Sequence, residues 1–315
     1  MTKNGSVALN RSLHPTARLA ACALVLLPVA AWAQETGGTP AGWYHTIEGQ
    51  ADHEFETDIN SGGSFDVTRT QLGASATYLK SERDSIGLAL RAGRWDYDFD
   101  GATGFGGLDP WDNVNELSLG VPYRWGPTER IDVLLVAAVQ SRWESGGDIG
   151  DGVTGSMLAA ATYQVTDTFS IGPGLGIASQ LDESAQIFPY LLFDWQISET
   201  LSLGSRGATR VVDGPQVALS WQAMPKLSLT LGGGYEDVRF RMDDSGPAPD
   251  GVAEESGWPL YISAAWGGRG GLQAFGFAGY KVSGSLAFQD RDGVSFATAN
   301  YEPTPFLGAG LRLRW

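Results

Sequence analysis

The sequence predicts an all-β chain: a transmembrane, antiparallel up-and-down β-barrel of about 14 strands, within a range of 12–16. Three observations carry that expectation. Apolar and polar residues alternate with a period of two through much of the chain. Short and long connections alternate between those segments, and the last segment ends on an aromatic, Trp315.

The N-terminal stretch reads as an address rather than as fold. Lys3, Arg11 and Arg18 form a basic region, Leu19 to Ala30 an apolar run, and Ala31-Trp32-Ala33 a small-residue cleavage site. Residues 1–33 are therefore expected to be a cleaved signal peptide, and 34–44 a short periplasmic lead. Leu19-Ala20-Ala21-Cys22 resembles a lipoprotein box, but it precedes most of the apolar run it should follow. Cys22 is the single cysteine, so a processed chain has no thiol ligand or disulfide.

Residues 45–315 are expected to form the barrel. Leu307, Ala309, Leu311, Leu313 and Trp315 share one face of the last strand, and Gly308, Gly310, Arg312 and Arg314 the other. Leu227, Leu229 and Leu231 alternate in the same way with Ser228, Thr230 and Gly232. A strand shows this pattern when one face meets an apolar medium and the other a polar one. Short turns fall at 80–84, 126–129, 166–168, 198–200, 224–226 and 267–270. Longer connections, mostly acidic, fall near 58–66, 97–112, 144–152, 180–186, 210–215, 241–256 and 286–303. In bacterial barrels the short turns are periplasmic, so both termini belong on that side.

Aromatics mark the segment ends. Tyr123, Trp125, Tyr163, Trp195, Trp221, Trp266 and Trp315 lie beside short turns, and Trp95, Trp143, Phe240 and Trp258 beside long loops. Two interfacial girdles have this spacing. The terminal aromatic resembles the signal read by the barrel-assembly machinery. Together with outer-membrane lipids and lipopolysaccharide, that machinery is the expected partner.

The formal net charge is −15, and it becomes −18 once the three leader bases are lost. So acidic a chain is ill-suited to nucleic acid. Mean hydropathy is −0.12, far below that of helical membrane proteins. It is compatible with a barrel, in which half of each strand faces the lumen.

On the expected register the inward rows are charged. Glu48, Asp52, Glu116, Asp132 and Asp194 face Arg91, Arg124, Arg142, Arg206, Lys281, Arg312 and Arg314, with Gln50 and Glu54 on the same rows. The glycines of Gly172-Pro173-Gly174-Leu175-Gly176 have neither the spacing nor the following helix of a nucleotide loop. They read as an inward row that leaves room for long side chains of neighbouring strands.

Two other patterns bear on chemistry. Asp96-Tyr97-Asp98-Phe99-Asp100-Gly101 has the D-x-D-x-D-G opening of a Ca²⁺ loop, but Gly107 stands where the closing Glu belongs. No cofactor is expected beyond a Ca²⁺ at this loop. His53 could serve as the base of an outer-membrane lipid hydrolase, although no nucleophile motif accompanies it.

The segment FPYLLFDWQISETLSLG, followed by GPQVALSWQAMPKLSLTLGGGYEDVRFRMDD, resembles a family of bacterial outer-membrane β-barrel proteins known only as a domain of unknown function. The resemblance covers the C-terminal half and implies location and fold, without catalytic residues. The expected function is a passive channel or transport-type barrel for small solutes, and not an enzyme. The alternatives are a non-conducting structural or adhesive barrel with acidic outer loops and, third, the lipid hydrolase. A constriction loop folded inward favours transport, and loops packed over a filled lumen favour the scaffold.

Overall fold

A computed structural model describes residues 40–205, 211–268 and 270–315. The expected signal peptide, most of the lead and Arg206 lie outside the described residues. The described chain is one antiparallel sheet rolled into a closed ring.

Eight long strands follow one another as neighbours: β1 (Gly42–Asp58), β2 (Ser64–Leu79), β3 (Ser85–Asp100), β4 (Asn113–Thr128), β5 (Ile131–Glu144), β6 (Val153–Thr166), β7 (Phe169–Gln180) and β8 (Glu183–Gln196). Then come β9 (Leu201–Gly204), β10 (Gln216–Met224), β11 (Leu227–Gly234), β12 (Glu236–Arg241), β13 (Val252–Gly267), β14 (Gly271–Gln289), β15 (Ser295–Tyr301) and β16 (Thr304–Arg314). β11 and β12 form one stave broken at Tyr235, both pairing with β13. β15 and β16 form another, broken at Glu302-Pro303, both pairing with β14. β16 pairs with β1 from Thr46↔Arg314 to Glu54↔Phe306. Sixteen strands therefore make a closed barrel of 14 staves.

The short turns expected at 80–84, 166–168, 198–200 and 224–226 join successive strands, whereas β4 runs on through Thr128 and the turn expected at 126–129 falls at Glu129 and Arg130. The other side differs in three places. Residues 180–186 are a tight turn through Leu181 and Asp182, because β7 and β8 pair up to Gln180↔Glu183. Residues 286–303 are largely the β14–β15 hairpin, and β13 starts at Val252, inside the loop expected at 241–256. β1 opens at Gly42, three residues before the expected start.

The outward rows change character along the staves. Low on β3, Leu88 and Leu90 are exposed while Arg91 is buried. Higher on the same strand Trp95 and Tyr97 are buried, and Arg94 and Asp98 are exposed. β2 follows the same rule, with Arg69 inward below and Val67 and Phe65 inward above. The lower band is thus polar inside and apolar outside, and the upper band is the reverse.

The lower aromatic girdle is present: Tyr123, Trp125, Tyr163, Trp195, Trp221, Trp266 and Trp315 are all exposed. Trp258 is exposed as well. Trp95 and Phe240, expected in the upper girdle, are instead buried inside the barrel, at 2% and 0% exposure. They belong to the inverted upper band, where apolar side chains leave water by turning inward.

The inward glycines behave as expected. The ring of Tyr190 lies over Gly174 and that of Phe188 over Gly176, where a Cβ would collide with either. Phe275 over Gly310 and Tyr301 over Gly284 repeat the arrangement. A glycine opposite an aromatic lets the ring lie flat along the wall.

Candidate functional site in the lumen

The upper lumen is filled. β12 leaves the side of β10 and reaches β5 through a single parallel bridge, Arg241↔Trp143. On the other side, Ile59 bridges Tyr301, linking β15 to the end of β1. β1–β5 and β12–β15 therefore close a narrower ring that leaves out β6–β10. Inside it sits an aromatic crown. Trp111, from the β3–β4 connection, meets Tyr97, Phe99 and Phe240 edge to face, with centroids 5.8, 5.1 and 5.4 Å away. Such packing is close and directional, and burial of each large apolar side chain contributes about 1.5–3 kcal/mol.

Beneath the crown lies a charged tier. Glu255 on β13 receives Lys281 Nζ at 2.5 Å, Arg69 Nη2 at 3.1 Å and the Tyr97 hydroxyl at 2.6 Å. The Tyr301 hydroxyl donates to it at 3.2 Å. Glu54 pairs with Arg69 and, at 3.3 Å, with Lys281. Glu236 on β12 lies 3.4 Å from Lys281, and Asp52 lies 3.6 Å from Arg69.

A second tier holds segment 211–215, just ahead of β10, inside the lumen. Asp213 accepts Arg142 Nη2 at 2.7 Å and Arg91 Nη1 at 3.2 Å. Both arginines also face Glu116, at 3.5 and 3.6 Å. The Asp213 backbone N–H donates to Glu236 at 3.0 Å and thereby ties the two tiers together. Val212 is buried with Phe277, Phe306 and Tyr261. Segment 211–215 is therefore folded into the barrel by an apolar residue and a carboxylate, one on each wall.

Lower down, Glu48 pairs with Arg312, which also reaches Gln273 at 3.3 Å. Asp132 accepts Arg124 at 3.1 Å beside the β4–β5 turn, where Arg83 joins them. Asp194 and Arg314 are half-buried at the same end. Every described lumen candidate thus lies on an inward row. Asp52, Arg91, Glu116, Arg142 and Lys281 gather in the two central tiers, and Glu48, Arg124, Asp132, Asp194, Arg312 and Arg314 do not.

Sequence reasoning missed Arg69, Glu236, Glu255 and Asp213. Glu255 lay within an expected loop, and Asp213 in a loop with no signal of inward folding. A buried Lys281 does call for a carboxylate, but spacing alone cannot say which one.

The aspartates of the expected Ca²⁺ loop lie along β3. β3 runs on through Asp100, so Asp96, Asp98 and Asp100 point outward along a straight strand, and Asp96 pairs with Arg94 at 2.8 Å. Residues two apart on a strand are about 7 Å apart, too far for three to close on one ion. His53 is also on an outward row, with Nδ1 2.9 Å from the Thr68 hydroxyl and its ring against Phe55. Thr68, not a serine, is its hydroxyl neighbour.

No family model matches the chain, and no curated protein matches it. Among solved structures, it is similar to an outer membrane channel from Pseudomonas putida F1, with 10% identity, 88% of this chain and 97% of that chain covered, and a TM-score of 0.47. It is also similar to the NanC porin, with 9% identity, 84% and 98% covered, and a TM-score of 0.38. A deletion mutant of the TodX monoaromatic hydrocarbon channel gives 9% identity, 88% and 91% covered, and 0.38. The fold assignment rests on the closed ring itself.

Proposed function

We propose that this chain is an outer-membrane channel for small solutes, held shut in this conformation by its own segment 211–215. The lower apolar belt meets the hydrocarbon, and the inverted upper band stands outside it in water. The short turns and both termini then face the periplasm, and Trp315 at the lower girdle is the assembly signal. Lipids and lipopolysaccharide surround the belt.

One observation carries the channel reading: Asp213 bridges Arg91 and Arg142 from segment 211–215, which lies within the lumen rather than in the wall. Segment 211–215 is anchored by side chains and can be withdrawn without dismantling a strand. The aromatic crown is part of the narrower ring and stays closed, so solutes pass beside it, through the place that 211–215 occupies.

Single-channel recording in planar bilayers tests this. Sparse openings are expected for the unaltered protein, and a several-fold higher open probability for Asp213→Ala. Repeated insertion of both without conductance would remove the channel reading. It would leave the non-conducting barrel, which the close-packed crown around Trp111 favours.

A further inference from the structure

Charged side chains are buried on the inward rows over much of the ring, with Arg91 on β3, Glu116 on β4, Lys281 on β14 and Arg312 on β16. One sector departs from this pattern. β6 and β7 carry no charged residue, and β8 carries only Glu183 at its upper end and Asp194 near its lower end. The strand register lines up their inward residues in two rungs. Val136 on β5 stands beside Leu158, Leu158 beside Gly176, and Gly176 beside Phe188. One rung lower, Leu134, Ala160, Gly174 and Tyr190 follow in the same order. Val136, Leu158, Leu134, Phe188 and Tyr190 pack as one apolar cluster.

The outward residues at this height are apolar and exposed, among them Leu135, Met157, Leu175 and Ile187. The wall is therefore apolar on both faces here, whereas a water-filled lumen calls for a polar inner face. The inner face is also flat. The rings of Phe188 and Tyr190 lie over Gly176 and Gly174, and the Tyr190 hydroxyl donates to the Ala159 carbonyl in the wall at 3.4 Å. Both rings keep part of their surface uncovered by the described residues. Neighbouring strands stand about 4.8 Å apart and residues two apart on a strand about 7 Å, so four strands and two rungs make a face of roughly 14 by 7 Å. Its staves β6–β8 belong to the side that the narrower ring leaves out.

We infer that this face binds an uncharged, apolar solute of one or two rings, and that Val136, Leu158, Phe188 and Tyr190 select it. The two rungs offer no charge to an ion and no side-chain amide or carboxylate to replace the water around a sugar. Flat aromatic and aliphatic side chains instead meet a ring over its whole face. The inference rests on the channel reading for the solute's route and adds what travels along it, but the face can be tested without conductance.

The unaltered protein in lipid nanodiscs is irradiated with benzophenone, an uncharged two-ring photoprobe, and the adducts are mapped residue by residue by mass spectrometry. Lipid carries the probe to the outward Met157, Leu175 and Ile187 in any case, so adducts there are the internal reference. Further adducts are expected on the inward Leu158, Phe188 and Tyr190. Naphthalene should reduce these several-fold and sucrose should not, while the outward adducts persist. Val136→Gln with Leu158→Gln should lower the inward adducts several-fold, and Asp98→Asn, on the outward row above the belt, should leave them unchanged. Adducts on outward residues alone, or inward adducts that naphthalene does not displace, would overturn the site. Should the double variant not fold, that displacement in the unaltered protein decides. Naphthalene-sensitive inward adducts in a barrel that never conducts would remove the channel and keep the site, and conductance with outward adducts alone would do the reverse.

Discussion

The guanidinium of Arg142 lies over the ring of Trp95, 5.3 Å from its centroid. The same guanidinium donates to Asp213. Trp95 is therefore the floor of the aromatic crown and the ceiling of the arginine pair that holds segment 211–215. Arg69 lies against the same ring at 5.7 Å, so both central tiers lean on one side chain.

Trp95→Ala is expected to destabilise the barrel by about 3–5 kcal/mol, the cost of a large aromatic removed from a close-packed core. It also frees Arg142 from above, so open probability should rise along with the stability loss. Urea unfolding in detergent and single-channel recording check the two effects. Loss below about 1 kcal/mol would mean that the crown is not a packed core.

Glu255→Gln keeps the shape but leaves Lys281 and Arg69 short of a charge. Breaking a buried pair from one side costs about 3–5 kcal/mol. Glu183→Gln removes a partner of Arg239 from a pair at the rim, where Glu183 is 36% exposed. Pairs that open to water contribute about 1 kcal/mol or less. The two unfolding midpoints should differ accordingly, and equal losses would contradict the burial of the central tier.

The inversion of faces along β3 predicts opposite responses on one strand. Leu90→Arg puts a charge into the apolar belt, at about 2–4 kcal/mol if it lies near the midplane. Asp98→Arg, on the outward row above the belt, should change stability by no more than about 0.5 kcal/mol. The fraction of heat-modifiable, folded barrel in unboiled gels measures both. If Asp98→Arg impaired assembly as much as Leu90→Arg, the upper band would not stand in water. Recovery of the unaltered protein in the soluble periplasmic fraction would contradict the membrane placement altogether.

Much of this molecule is local, and what is local is legible. Period-two alternation reports that each segment has two faces in different media, and it does so without knowledge of partners. From Leu307 to Trp315 it yields the last strand, its outward row and the inward Arg312 and Arg314. Turn chemistry such as Met224-Pro225-Lys226 is local too, and it sets the strand count and the side on which the chain turns.

Alternation cannot say which medium lies on which side. Arg94-Trp95-Asp96-Tyr97-Asp98-Phe99 alternates as cleanly as Leu311-Arg312-Leu313-Arg314. On the proposed placement, the outside of the belt is hydrocarbon and the charges turn in, whereas above the belt the outside is water and the aromatics turn in. Only the height of a residue on the closed ring decides this, so Trp95 and Phe240 read as girdle residues and proved to be core. Asp213 was hidden for a second reason. Its partners Arg91 and Arg142 lie 122 and 71 residues away in the chain, and no local pattern encodes a meeting that exists only once the ring has closed.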